Sequence, residues 1–174
     1  MESLADIELE AHSAWDNGRL RQALQLFQRC ADAGLVGCML NLGYFYDVGI
    51  GTRSDKVMAM HWYKRAYRTG DAAAASNIAV LYKEQGKSRL AFGWYARSAA
   101  LGDGDSSLEL AKLCLSGKGV RRSVQSAKKH LRVALSSKLI TEASQEEAQA
   151  IMRELVPRAV SNNSFKPNPL RGSA

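Results

Sequence analysis

The sequence is poor in residues that interrupt or cross-link a chain. It has three prolines in 174 residues, two of them at positions 167 and 169, so almost the whole length is free to run as regular structure. Its three cysteines, Cys30, Cys38 and Cys114, include no pair that meets a second Cys or His pair at zinc spacing, which argues against a metal site. No stretch approaches the ~18 uncharged apolar residues of a membrane span, so no membrane association is expected. Glu2, Asp6, Glu8 and Glu10 stand where a secretory signal needs a basic start and an apolar run. The expectation is a cytoplasmic protein with reduced thiols. What remains, 46% apolar and 24% charged residues, suffices for one domain with its own core, expected over residues 1–160. No cofactor is implied.

The net charge of +7 is unevenly spread. Residues 1–61 carry five bases and eight acids, whereas 110–141 carry eight bases and no acid at all. Lys118, Arg121, Arg122, Lys128, Lys129 and Arg132 form the centre of that basic stretch. Such a field suits an acidic partner, either a protein surface or a polyanion; a solvated face that keeps the chain soluble is the plainer reading.

Residue types recur at a fixed interval. Gly34, Gly70, Gly102 and Lys138 are separated by 36, 32 and 36 residues. In step with them run Ala23, Ala59, Ala91 and Ala127, then Phe27, Tyr63, Tyr95 and Leu131, then Cys30, Ala66, Ser98 and Ala134. A preceding half-unit aligns Leu42, Ile78 and Leu110, with Ala11, Gly43, Ala79 and Ala111 beside them. A period of this length marks a stacked-repeat architecture. Both halves read as helices, since Ala59, Tyr63 and Ala66 fall at i, i+4, i+7 and so share one stripe. Gly34, Gly70 and Gly102 close the second helices, where a positive φ is needed, and Asp71 and Asp103 follow as N-caps. The turns inside the units alternate between short (Asn17-Gly18, Gln85-Gly86) and long. Each long turn holds a Gly-x-Gly triplet, at 49–51 and 117–119, which lacks the strand and spacing of a phosphate loop and reads as a structural turn.

The string Leu42-Gly43-Tyr44-Phe45-Tyr46, with Gly49, Gly51, Asp55, Ala59, Trp62-Tyr63-Lys64-Arg65-Ala66 and Gly70-Asp71, resembles the Sel1-like repeat, a relative of the tetratricopeptide repeat with a longer internal loop. Residues 104–138 resemble a diverged copy, with His130 and Leu131 where Trp and Tyr are usual; residues 4–34 and 72–103 look more like tetratricopeptide units, and 35–71 is the closest match. The expected fold is all-α, a right-handed α-solenoid of four helix-turn-helix repeats closed by a capping helix over about 141–160, with a disordered tail at 161–174.

The resemblance implies an adaptor, bacterial in context, that binds another protein or peptide on the concave side lined by first helices. Carried onto this chain, that side presents Glu8, His12 and Trp15, then Leu40, Tyr44 and Asp47, then Val80 and Lys83, then Leu108, Lys112 and Leu115. The groove is expected to grade from acidic and aromatic to basic and aliphatic, and so to take an acidic partner. A dedicated immunity-type neutraliser of a bacterial toxin is the alternative. Nucleic acid is disfavoured, because the basic stretch lacks aromatics to stack on bases. No enzyme is expected: His12, His61 and His130 sit in different units with no Cys or Asp paired to them in any motif. Cys30 and Cys38 straddle the Gly34 bend within disulfide reach, and some secreted, cysteine-rich Sel1-like proteins linked to β-lactam binding place a bridge there. For this chain the bridge and the free thiols both stay open, and β-lactam binding is a remoter alternative.

Overall fold

A computed structural model describes residues 3–155, which form nine α-helices and no strand. Their order is α1 (Leu4–Asp16), α2 (Leu20–Asp32), α3 (Val36–Val48), α4 (Lys56–Tyr67), α5 (Ala72–Glu84), α6 (Ser88–Ala100), α7 (Gly104–Ser116), α8 (Val124–Ser136) and α9 (Glu142–Leu155). Each packs chiefly on its chain neighbours, and α9 also reaches back to α7. The result is the all-α repeat array anticipated from the 36/32 interval. The expected extension of the last helix to residue 160 and the tail at 161–174 lie outside the described residues.

Helix starts follow local chemistry. Ser3 and Asp6 form a reciprocal capping box on α1, Asp55 accepts the Val57 and Met58 N–H groups at 3.0 Å each, and Asp71 accepts that of Ala74 at 2.7 Å. Asp103 accepts the Asp105 N–H at 3.1 Å, while the hydroxyls of Ser98 and Ser106 donate to its other oxygen at 2.7 and 2.6 Å. Three serines are thereby buried at the α6–α7 junction: Ser98, Ser106 and Ser107, each with a hydrogen-bond partner.

Small residues on first helices make room for large ones on second helices. A Cβ on Gly43 would lie 2.5 Å from the Tyr63 ring, so only glycine admits that ring at this depth. Ala11, Ala79 and Ala111 hold the equivalent places and are fully buried.

The long turns owe their glycine pairs to two separate demands. Gly49 and Gly117 close α3 and α7 in the left-handed conformation (φ +86° and +71°). Gly51 and Gly119, also at positive φ, lie against the first turns of α2 and α6: a Cβ would meet the Leu20 carbonyl oxygen at 2.5 Å and the Ser88 carbonyl carbon at 2.4 Å. The Gly-x-Gly triplet is thus a contact between repeats, as a structural turn requires.

Between α8 and α9 the chain folds back on the last unit. Gly104 N–H donates to the Leu139 carbonyl at 2.7 Å, the Ser137 hydroxyl to the Gly102 carbonyl at 2.6 Å, and Thr141 N–H to Asp105 at 3.1 Å. These bonds set the start of α9, which covers Leu131 and its neighbours with Ala148, Ile151, Met152 and Leu155.

Candidate partner-binding face

The odd-numbered helices touch one another along one side of the array and the even-numbered helices along the other. On the odd side His12 meets Asn41 at 3.4 Å, Trp15 packs on Tyr44 and Phe45, and Lys83, Glu109, Lys112 and Glu147 link α5, α7 and α9. On the even side Arg65 of α4 donates to the Asp32 carbonyl at the end of α2 at 3.0 Å, and Phe92 of α6 meets the His130 ring of α8.

The two layers carry opposite charge. The odd helices hold twelve acidic and three basic side chains, net −9. The even helices hold ten basic and one acidic side chain, net +9. Sequence reasoning divided the charge along the chain; the fold divides it across the chain, because helices alternate between layers every half-unit. The acid-free segment 110–141 is split by this division. Lys112 lies on the odd side, Lys118, Arg121 and Arg122 lie in the α7–α8 turn, and Lys128, Lys129 and Arg132 lie on α8 in the even layer.

Among the residues expected on the concave face, His12, Trp15 and Tyr44 of the first two units form a continuous surface. Trp15 is half-buried, its ring 5.0 Å from Phe45 and 6.1 Å from both Phe27 and Tyr44. Tyr44 remains 42% exposed at the edge of this cluster. His12 stacks beside Trp15 and edges onto Phe27. The Glu8 carboxylate lies over the start of α3, where a Cβ on Gly37 would come within 2.8 Å of it. No side chain caps α3, so this carboxylate sits at the positive end of its dipole.

The other residues expected on this face depart from the expectation in four ways. Leu108 is 1% exposed and belongs to the core with Ala111, Cys114 and Leu131, so it presents nothing to a partner. Leu40, Val80 and Leu115 are partly buried and pack against cores on their own helices' inner sides. Asp47 is largely buried and bonds Lys56, which also bonds Glu84 at 2.8 Å, while the Tyr63 hydroxyl donates to Asp47 at 3.5 Å. Lys83 and Lys112 are not free cations: Lys83 pairs with Glu109 at 2.5 Å, and Lys112 pairs with Glu109 at 2.9 Å and Glu147 at 2.7 Å. The basic, aliphatic end expected of the groove is therefore a neutralised ion-pair chain. The sequence carried part of that signal, since Glu109 precedes Lys112 by three residues on one helix. Its link to Glu147 depends on α9 stacking beside α7.

These pairs fix the ionisation of their members. Burial pushes the Glu109 carboxyl up, but hydrogen bonds from Lys83 and Lys112 outweigh it and hold the group below the ordinary carboxylate range. Burial lowers Lys112, and Glu147 with Glu109 more than restores it. Burial, with Asp47 nearby, pushes the Tyr63 phenol well up, and burial alone raises the Cys114 thiol.

Cys30 and Cys38 are joined across the α2–α3 bend, with Cα atoms 5.8 Å apart. The expectation of reduced thiols at these two positions gives way to a bridge, which the close approach of two antiparallel helix ends permits. Cys114 is free and buried. His61 is exposed beside Trp62, His130 edges onto Phe92, and no group able to hold a metal occurs among the described residues. No described helix is long and apolar enough to cross a membrane.

The Sel1 repeat model matches residues 20–35, 36–71, 72–103 and 105–137, more than half of the chain. The chain belongs to the Sel1 repeat family. Among solved structures, a Sel1 repeat protein from Oxalobacter formigenes superposes with a TM-score of 0.74 at 23% identity, covering 88% of this chain and 63% of its own. An Escherichia coli protein described as a protective antigen of uropathogenic strains, with an SLR fold, gives 0.71 at 23% identity over 88% of this chain and 33% of its own. MamA gives 0.60 at 19% identity over 86% and 82%. This Sel1 chain thus spans less than two thirds of the first two proteins it matches. At these identities the likeness establishes the fold.

Proposed function

We propose that this Sel1 repeat chain is a non-catalytic docking module that seats a protein or peptide on its odd-helix face, the concave one in such arrays. The anchor is the aromatic patch of Trp15, Tyr44 and His12 near the first two units. A half-buried tryptophan backed by buried rings and flanked by an exposed tyrosine offers contact area already ordered before binding.

The charge of this face favours a partner segment that is basic with an apolar anchor. Twelve acids stand against three bases on the odd helices, and the two lysines expected to draw an acidic partner are each bonded to carboxylates. An acidic partner read from Lys83 and Lys112 therefore suits the face poorly.

Selection of short random peptides on the full-length chain tests this reading. The expected winners combine Lys or Arg with an aromatic or leucine, and Tyr44→Ala abolishes their retention with an unchanged helical spectrum. Acidic winners, or equal retention by Tyr44→Ala, would overturn it. Lys112→Glu is unsuited to this purpose, since it places a third carboxylate between Glu109 and Glu147.

A further inference from the structure

Two clefts open on the edge of the array where the turns inside the units lie, and both are lined by bases without a single carboxylate. The first, about 700 Å³, lies between the start of α2 and the α3–α4 turn, and brings together Arg19, Arg21, Gln22, Thr52 and Arg53. The second, about 480 Å³, lies between the start of α6 and the α7–α8 turn, with Lys87, Ser88 and Arg89 against Gly119. They are related by the repeat: Arg19, Arg21 and Arg53 correspond at an offset of 68 residues to Lys87, Arg89 and Arg121.

Neither cleft neutralises its own charge. Arg21, Arg53, Lys87 and Arg89 are exposed and have no acidic partner among the described residues; Arg19 donates to the Gln22 amide at 3.2 Å, and Gln22 in turn to Glu10 at 3.0 Å. A cation at a helix start opposes the helix dipole, yet Arg19 and Lys87 occupy the N-cap positions of α2 and α6, with no side chain capping either helix. The other two even helices, α4 and α8, start on capping residues of the ordinary kind, Asp55 and Ser123. Among the even helices, the two whose N-cap is an uncapping cation are the two that line these clefts. The cleft floors are fixed in advance, because Gly51 and Gly119 rest directly on the backbone of the first helical turn.

We propose that these clefts are paired binding sites for phosphate groups. In the first cleft guanidinium forks converge from two chain segments, and in the second Lys87 and Arg89 stand together at the start of α6; either arrangement matches the several oxygens of a phosphate, and the helix start adds its positive end. A bound dianion would offset the opposed charges that the empty clefts leave in place. The sites are separate from the odd-helix face and stand whether or not that face binds a peptide.

Calorimetric titration of the full-length chain with sodium pyrophosphate at low ionic strength decides the matter. Two equivalents are expected. The double variant Arg21→Ser/Arg53→Ser weakens one by about tenfold or more, Arg89→Ser weakens the other, and Lys64→Ser on exposed α4 surface changes neither. Thermal melts confirm that each variant is folded. A phosphoserine peptide binding more tightly than pyrophosphate identifies protein-borne phosphate as the source, and the reverse identifies a free phosphate compound. No measurable binding, or equal weakening by Lys64→Ser and the cleft variants, overturns the proposal, the latter by showing a diffuse attraction to the basic layer.

Discussion

From α1 to α4 the units are joined by rings and a covalent bridge; from α5 to α9 they are joined by hydroxyls, carboxylates and lysines. Phe27, Phe45, Trp15 and Trp62 belong to one large apolar cluster, which the Cys30–Cys38 bridge ties across the first bend. The second half has smaller cores of leucine and alanine with one cysteine and one tyrosine, with Ser98, Ser106 and Ser107 buried around Asp103 and the Lys83–Glu109–Lys112–Glu147 chain along its face. One repeat pattern therefore tolerates two kinds of adhesive, because its geometry asks only that each face be covered and each buried polar atom be paired. The first kind responds to redox conditions and to lost volume, the second to pH and salt.

The comparison is sharpest where the aromatic half is emptied. Phe27→Ala is expected to cost about 3–5 kcal/mol, because Phe27 is fully buried among rings that cannot collapse into the space. Hydrogen exchange followed by mass spectrometry should then rise through α1–α4 well before α5–α9; a uniform rise would mean that the two halves are one cooperative block. Reduction of the bridge, or Cys38→Ser, removes about 2–3 kcal/mol on the loop-closure account, read as a lower melting temperature with the loss again confined to the first half. Gly43→Ala forces a methyl group onto the Tyr63 ring and should cost about 1–3 kcal/mol; a thermal melt within error of the parent would show that the ring has room to move.

Smaller effects belong to the second half. The Glu109 carboxyl titrates below its ordinary value of 4.5, so its contribution is complete above that pH and is lost as pH falls through the lower folded value. Burial, with Lys129 beside it, pulls His130 below 6.5, so stability also declines as pH drops from about 6.5 toward its folded value. Glu109→Gln should cost at most about 1 kcal/mol, since its lysine partners are substantially exposed, and should flatten the acid limb of a pH–stability curve below 4.5. Unchanged acid sensitivity in that variant would assign the limb to other carboxylates.

The fold was legible because its determinants repeat. Ala23, Ala59, Ala91 and Ala127 fall in one column and Phe27, Tyr63, Tyr95 and Leu131 in another, and each column reports the same packing position several times over. The Gly-x-Gly turns and the caps at Asp71 and Asp103 were equally readable, being local. The face was read less well. Leu108 was placed on the surface by analogy of position, whereas its own unit turns it into the core with Leu131. Lys83 and Lys112 read as the basic end of the groove because two of their partners, Glu109 for Lys83 and Glu147 for Lys112, come from helices 26 and 35 residues away, pairings set by stacking, and only the Glu109–Lys112 pair is local. The charge separation between layers was hidden for a related reason: it is plain only when odd and even helices are summed apart.

Gly51 and Gly119 carry one consequence for how such an array grows. Each long turn leans its bare backbone on the helix start of the unit before it, so the first unit is fastened to the second and the third to the fourth, while α4 meets α5 through a cluster of side chains that includes Tyr63, Ile78 and Leu81. The chain is in this sense two bricks of 68 residues laid end to end, with mortar between bricks and interlocking within them. Gene duplication that adds or deletes whole bricks keeps every such lock intact, and one that adds half a brick leaves a glycine turn with nothing to rest on.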